Sequence, residues 1–330
     1  MQKKKIIIAG VVAVLLVIAW GIKQYIDIKK PQELINDQKE IEELEKKSAK
    51  DGVMLEFQQD TVNILFLGFD KNEGRESKYR LFRPDGIILM SINFETDKIN
   101  LISFPRDSRV WIAHRPGKDK INASFYYGHD EGGGNTDEEN EQMGYQYCVD
   151  TVSEFLGNIY INNYVAIDMD GFREIIDQIG GITLTVQEDM YDDTKNGELI
   201  AKAGTQTLNG KQFLAYVRDR DKTNEKDKER TQRTQEAFVT VMNQLKSQNM
   251  LKLLPDLFDT YQRNIRTDLT VKEMTSLALY GQKIAFDSIS LHVVEGQYDY
   301  INDIIYYIPD EEERINLVKE AFGIEFEPTR

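Results

Sequence analysis

The chain has 330 residues, enough for one large domain or two ordinary ones, and its 41% hydrophobic and 29% charged content supports a packed core and excludes wholesale disorder. Acidic residues outnumber basic ones 56 to 41, and the formal charge of −15 disfavours a nucleic-acid partner, although a local arginine cluster can still bind an anion. The single cysteine, Cys148, excludes an intrachain disulfide framework and a Cys-based zinc site, and His114, His129 and His292 lack metal-motif spacing.

Lys3, Lys4 and Lys5 precede an uncharged apolar run from Ile6 to Ile22, with Trp20 near one end. This length can just span a hydrocarbon core, and the alternative, a cleaved signal peptide, lacks a small-x-small site after the run. The charge bias predicts residues 1–5 in the cytoplasm, a membrane anchor at 6–22, a juxtamembrane stretch at 23–60 and an extracellular domain at 61–330. That makes the chain a single-pass cell-membrane protein. The charged stretch Pro31–Lys50, with sparse Leu34, Ile41 and Leu44, reads as a helical stalk.

From Val62 the pattern alternates between strands and helices. Val62–Leu67, Gly86–Asn93 and Ile99–Phe104 are apolar strands, the last two joined by Glu95–Lys98 as an antiparallel hairpin. Residues 129–144 are acidic and Gly-rich, which predicts a mobile loop. A helix over Thr151–Leu156 and a strand over Tyr164–Ile167 follow. Asp170 is placed to cap a helix ending at Ile179 before Gly180 and Gly181. Ile182–Val186 alternates as a strand, and Asn209 can cap a short helix over Phe213–Val217. A long helix over Lys228–Ser247 carries Ala237, Phe238, Val241, Met242 and Leu245 at helical spacing. A helix near Val271–Lys283, strands near Ile289–Val294 and Ile304–Ile308, and a helix over Glu311–Phe322 complete an α/β layered domain with a mixed sheet.

Charged residues gather at strand ends. Asp70 follows the first strand, Arg83 and Asp85 precede the second, and Arg106 and Asp107 follow the third. An antiparallel hairpin puts the start of one strand beside the end of the other, so Arg83, Asp85, Arg106 and Asp107 share an edge, and Asp70 joins them if the first strand runs parallel to the third. Two carboxylates there suit a hard divalent cation; mixed surface ion pairs are the plainer reading. A second cluster comprises Arg218, Arg220, Asp227, Arg230 and Arg233. Arg230 and Arg233 lie in the first turns of the long helix, on rows leading into its apolar face. Cations there suit the helix dipole only when an anion is present, and phosphate is the natural one; snorkelling arginines paired to Asp219, Asp221 or Asp227 are the alternative.

The segments NILFLGFD (Asn63–Asp70), FRPDGIILMSIN (Phe82–Asn93), ISFPRDSRVWI (Ile102–Ile112), KINASFYYG (Lys120–Gly128), YVAIDMDGFREIIDQIGGITLTV (Tyr164–Val186), GTQTLNGKQFLAYVRDR (Gly204–Arg220) and DKERTQRTQEAF (Asp227–Phe238) resemble the LytR–CpsA–Psr family of envelope-anchored glycopolymer transferases. The resemblance implies a three-layer α-β-α sandwich with a mixed central sheet. It implies magnesium on Asp70 and Asp85, which with Arg106 form the catalytic set. It places the pyrophosphate-binding residues on Arg83, Arg106, Lys120, Arg218, Arg220, Asp227 and Arg230, beside which Arg233 stands. The implied reaction transfers a glycopolymer, such as teichoic acid or capsule, from a polyprenyl pyrophosphate to a peptidoglycan hydroxyl, with Asp70 or Asp85 taking the proton. The apolar faces of the 170–179 and 237–245 helices are candidate walls for the polyprenyl tail. The family usually carries Gln directly after the second helix arginine; this chain has Thr234 there, with Gln235 pointing elsewhere. Pro84 stands where Ser is common. The competing reading is a module that holds lipid-linked glycopolymer or cell wall without turnover.

Overall fold

A computed structural model of the chain describes residues 31–36, 41–42, 55–70, 83–191, 197, 199–218, 226–247, 260, 262–285 and 288–326. The anchor expected at Ile6–Ile22 lies outside these residues, and no helix among them is long and apolar enough to cross a membrane. The order is α1 (Pro31–Ile35), β1 (Thr61–Phe69), β2 (Pro84–Asn93) and β3 (Lys98–Ser103), then the ribbon β4 (Arg109–Trp111) and β5 (Lys118–Lys120). Next come α2 (Ala123–Glu131), α3 (Asp137–Phe155), β6 (Asn163–Asp168) and α4 (Met169–Gln178). The strands β7 (Ile182–Val186), β8 (Met190–Tyr191), β9 (Leu199–Ala201) and β10 (Gly204–Leu208) precede α5 (Gly210–Arg218) and α6 (Lys226–Ser247). The chain continues through β11 (Ile265–Thr267), α7 (Val271–Gly281), β12 (Ile289–Val293), β13 (Gly296–Ile301), β14 (Ile304–Pro309) and α8 (Glu311–Phe322).

Alternation in β1 builds the layers. Leu65, Leu67 and Phe69 face a core completed by Phe125 of α2, Val152 and Phe155 of α3, and Leu317 and Val318 of α8. Val62 and Ile64 face the opposite way, into a core shared with Phe238 and Met242 of α6 and Met274 and Leu277 of α7. The result is a mixed α/β sandwich around a six-stranded sheet of order β11-β6-β1-β2-β3-β12. The pairs β1–β2, β2–β3 and β6–β11 are antiparallel, and β1–β6 and β3–β12 are parallel. A third apolar cluster, around Ile176, Ile182, Leu208, Phe213 and Ala237, joins α4, α5 and the β7–β10 ribbon to α6.

Three expectations need correction. Residues 129–144 are mostly helical: α2 runs to Glu131 and α3 begins at Asp137. The Thr136 side chain caps the Glu139 N–H, and Asp137, Glu138 and Glu139 suit the positive end of the helix dipole, so acidity marked a helix start. The cap of α4 is Asp168, whose carboxylate accepts the Gly171 N–H, not Asp170; Gly180 and Gly181 do close this helix at positive φ. The described part of the expected stalk does not stand clear of the domain. Pro31, Asn36 and Ile41 are buried, and Asn36 donates to the carbonyls of Gln59 and Thr61 at the start of β1.

Gln235 is 3% exposed, and its amide nitrogen donates to the carbonyls of Leu101 on β3 and His292 on β12, both at 2.9 Å. It pins α6 to the sheet, so it points away from the position beside Arg233, as expected, and takes a structural role the sequence did not assign. Gln235→Ala should cost about 1–3 kcal/mol, because two buried carbonyls lose a donor and a small void opens. Urea unfolding should show a lower midpoint with an unchanged m-value.

Candidate active site

Strand direction assembles the polar edge. Since β2 is antiparallel to both β1 and β3, the ends of β1 and β3 meet the start of β2. Asp70, Asp85, Arg106 and Asp107 therefore lie together, as the sequence predicted. Arg106 Nη1 donates to Asp85 Oδ1 at 2.6 Å, and its Nε lies 3.5 Å from Asp107 Oδ2. Asp107 is buried, and its Oδ1 is 2.7 Å from Lys120 Nζ at the end of β5. A continuous chain Asp85–Arg106–Asp107–Lys120 results. Arg83 is exposed, with its guanidinium carbon 5.5 Å from the centre of the Tyr126 ring. Beside it the Tyr127 hydroxyl donates to Asp119, and that hydrogen bond, with partial burial, holds the phenol above its ordinary pKa.

A cavity of about 550 Å³ opens from this edge. Asp70, Asp85 and Asp168 belong to its lining, and its apolar walls include Phe66, Phe172, Leu214 and Phe238. Both helices expected to wall a lipid tail contribute: α4 through Met169 and Phe172, α6 through Thr234, Ala237 and Phe238. Across the cavity floor Gly68 of β1 pairs with Gly86 of β2. A Cβ on Gly86 would lie 3.5 Å from the Thr234 methyl, so the bare glycine pair keeps space open under α6.

The second cluster is placed by backbone. Arg218 ends α5, one residue beyond Val217 of the cavity wall, and Asp227, Arg230 and Arg233 lie on α6 before Thr234. Arg230 sits one helical turn before Thr234, on the row that meets the cavity. Arg220 lies outside the described residues. Sequence reasoning gave no role to Asp107, Asp168, Arg173 or Lys211, although the last three line the cavity. The signal for Asp107 was adjacency to Arg106 in a strand-end turn, where a carboxylate next to a functional arginine can hold it in place.

The LytR_cpsA_psr family profile matches residues 24–322. The chain belongs to the LytR–CpsA–Psr family. It is 34% identical over 266 residues, 81% of this chain and 77% of the other, to the polyisoprenyl-teichoic acid–peptidoglycan teichoic acid transferase TagU of Oceanobacillus iheyensis. Identity to the transferase of the same name from Enterococcus faecalis is 28%, over 95% of this chain and 94% of that one. The crystal structure of Bacillus subtilis TagV superposes with a TM-score of 0.62 at 25% identity, covering 82% of this chain and 100% of that chain.

Asp107 and Lys120 should behave as one unit. Asp107→Asn keeps the shape but removes the charge facing Lys120 and Arg106, at an expected cost of about 1–3 kcal/mol. Lys120→Met alone should cost a similar amount. If the pair acts as described, the double variant should be less destabilised than the sum of the two, a coupling read from denaturant midpoints in a double-mutant cycle.

Proposed function

We propose that this family member is a membrane-anchored phosphotransferase that moves a glycopolymer from a polyprenyl-pyrophosphate donor onto a peptidoglycan hydroxyl. The observation that carries this reading is the continuity of a carboxylate- and arginine-lined edge with a deep apolar cavity. A pyrophosphate attached to a polyprenyl chain needs both, side by side. Membership of the family and likeness to transferases of that name agree with it. A module that only holds lipid-linked polymer would use the same cavity, and turnover separates the two.

Asp70 and Asp85 offer oxygen donors at the cavity mouth, a set that fits magnesium, which takes one or two carboxylates and completes its shell with phosphate oxygens and water. When bound there, magnesium would neutralise pyrophosphate charge and polarise the phosphorus. Arg106, held on Asp85, would donate to a phosphate oxygen. Arg83 and Lys120 flank it, and Arg218, Arg230 and Arg233 would close the anion site from the α5 and α6 side, with Arg220 and Asp227 completing the set the family resemblance implies. The acceptor oxygen forms the new bond to phosphorus, the bond to the polyprenyl-bearing phosphate breaks, and the acceptor proton passes to Asp70 or Asp85. The leaving polyprenyl phosphate stays in the cavity, its charge met by the arginines. Thr234, shorter than the usual Gln, would reach phosphate through a water.

Two measurements test this. Asp85→Ala should cut turnover of a lipid-linked donor by about 100-fold or more while unfolding changes little, because the half-exposed Asp85–Arg106 pair adds modestly to stability. Full activity in Asp85→Ala without added magnesium would remove the metal role. Ala215→Trp should fill part of the cavity. Wild-type protein from membranes should yield polyprenyl phosphate in organic extracts by mass spectrometry, and this variant should yield much less. Absence of any polyprenyl species in wild type, with added lipid failing to raise its Tm, would remove the lipid role.

A further inference from the structure

Beyond the cavity, on the other side of the polar edge, lies an aromatic and cationic shelf. The β4–β5 ribbon buries Val110 in the core that packs α2 and α3, so Arg109 and Trp111 project outward. Register sets Lys120 beside Arg109 and Lys118 beside Trp111, which puts all four on one face. The Lys118 ammonium lies 5.6 Å from the Trp111 ring centre, and the Arg109 guanidinium 5.7 Å from that of Tyr306 on β14. Strand β14 is tied to the active edge, since the Tyr307 N–H donates to the Asp107 carbonyl. Tyr126 and Tyr127 of α2 lie under the Arg83 and Arg115 guanidiniums, and Asp119, which accepts from the Tyr127 and Tyr306 hydroxyls, links them to β14.

We propose that this shelf docks the acceptor: a peptidoglycan glycan strand, whose sugar faces would stack on the rings and whose lactyl and peptide carboxylates would meet Arg109 and Lys118. The inference rests on the transferase reading above. Charge complementarity supports an anionic occupant at the Arg109 and Lys118 end of the shelf, because Lys120 is matched by Asp107, Arg115 by Glu131, and Asp119 takes the Tyr127 and Tyr306 hydroxyls. Half-buried rings flanked by charged donors suit a sugar, which offers C–H faces and hydroxyls together.

The geometry of displacement selects the acceptor over the donor polymer. Attacking and leaving oxygens stand roughly in line on opposite sides of the phosphorus. The cavity opens under the sheet face carrying Phe66 and Ile88, whereas the shelf is built on the core at the opposite face, with Val110 and Phe125. A leaving polyprenyl phosphate withdrawing into the cavity therefore requires the incoming hydroxyl from the shelf side. The donor glycan, on a third oxygen, leaves sideways.

The test uses the full-length protein in detergent, with soluble uncrosslinked peptidoglycan strands as acceptor and a short-chain polyprenyl-pyrophosphate glycopolymer as donor. In Arg109→Ala/Lys118→Ala, and separately in Tyr306→Leu, the acceptor KM should rise about tenfold or more. Donor KM and kcat at saturating acceptor should stay within about twofold, because the cavity and its arginines are untouched. An unchanged acceptor KM in both variants overturns the proposal, as does a rise confined to donor KM, which would assign the shelf to the glycopolymer. Loss of binding to anionic phospholipid vesicles with an unchanged acceptor KM would assign it to the membrane and overturn it too. If wild type transfers nothing, the transferase reading falls, while direct titration of the strands still decides the shelf: tenfold weaker binding by the variants supports it, and equal binding overturns it.

Discussion

Arg106 reaches Asp85 because β2 lies between β1 and β3 and runs against both. The hydrogen bond between them closes a turn after β3 onto the first residues of β2, and the remaining polar groups are arranged from it. Asp107 extends the chain of charges to Lys120, and Asp70 arrives from β1 at the same edge. The pair is half-exposed, so its contribution to folding is small. Its value is geometric: a guanidinium held beside Asp85, a residue of the cavity lining.

The two faces of the sheet do different work. On the α2–α3–α8 side, Leu65, Leu67, Ile102, Phe104 and Phe155 fill the interior in the ordinary close-packed way. On the other side, small residues hold space open. Gly68 and Gly86 leave the sheet bare, and Thr234, Ala237 and Ala215 keep the overlying helices thin. Unfilled apolar volume is costly in a protein interior, and here it is bounded by α6, which Gln235 fastens to the sheet, and by the separate small core of α4, α5 and the β7–β10 ribbon.

The polar edge was legible in the sequence because it depends on two strong local signals: apolar runs of strand length, and charged residues immediately beyond them. The long helices were legible from spacing, and α8 falls on the expected Glu311–Phe322. Strands of two or three residues, such as β4, β5, β8, β9 and β11, are too short for alternation to show. The α3 start was hidden because glycine and acidic residues also mark loops; only the Thr136 cap distinguishes them. The cavity was half visible. Its helices could be named, but whether their apolar faces met a core or a void depends on the pairing of Gly68 with Gly86, which no local pattern reveals. The shelf was invisible because Trp111, Tyr126 and Tyr306 come from three elements far apart in the chain.

The order of strands also has a consequence for how the domain comes into being. The sheet's two outer strands, β11 and β12, belong to the last quarter of the sequence, whereas the inner four are made earlier. While the chain is being synthesised, β6 and β3 present open hydrogen-bonding edges until residues 265–267 and 289–293 emerge. Helix α8 arrives later still, and its Arg314 then donates to the Phe155 carbonyl and fastens the sequence end to α3. Nascent chains thus pass through a period when sticky strand edges are uncovered, and truncation anywhere before β12 leaves that state permanent.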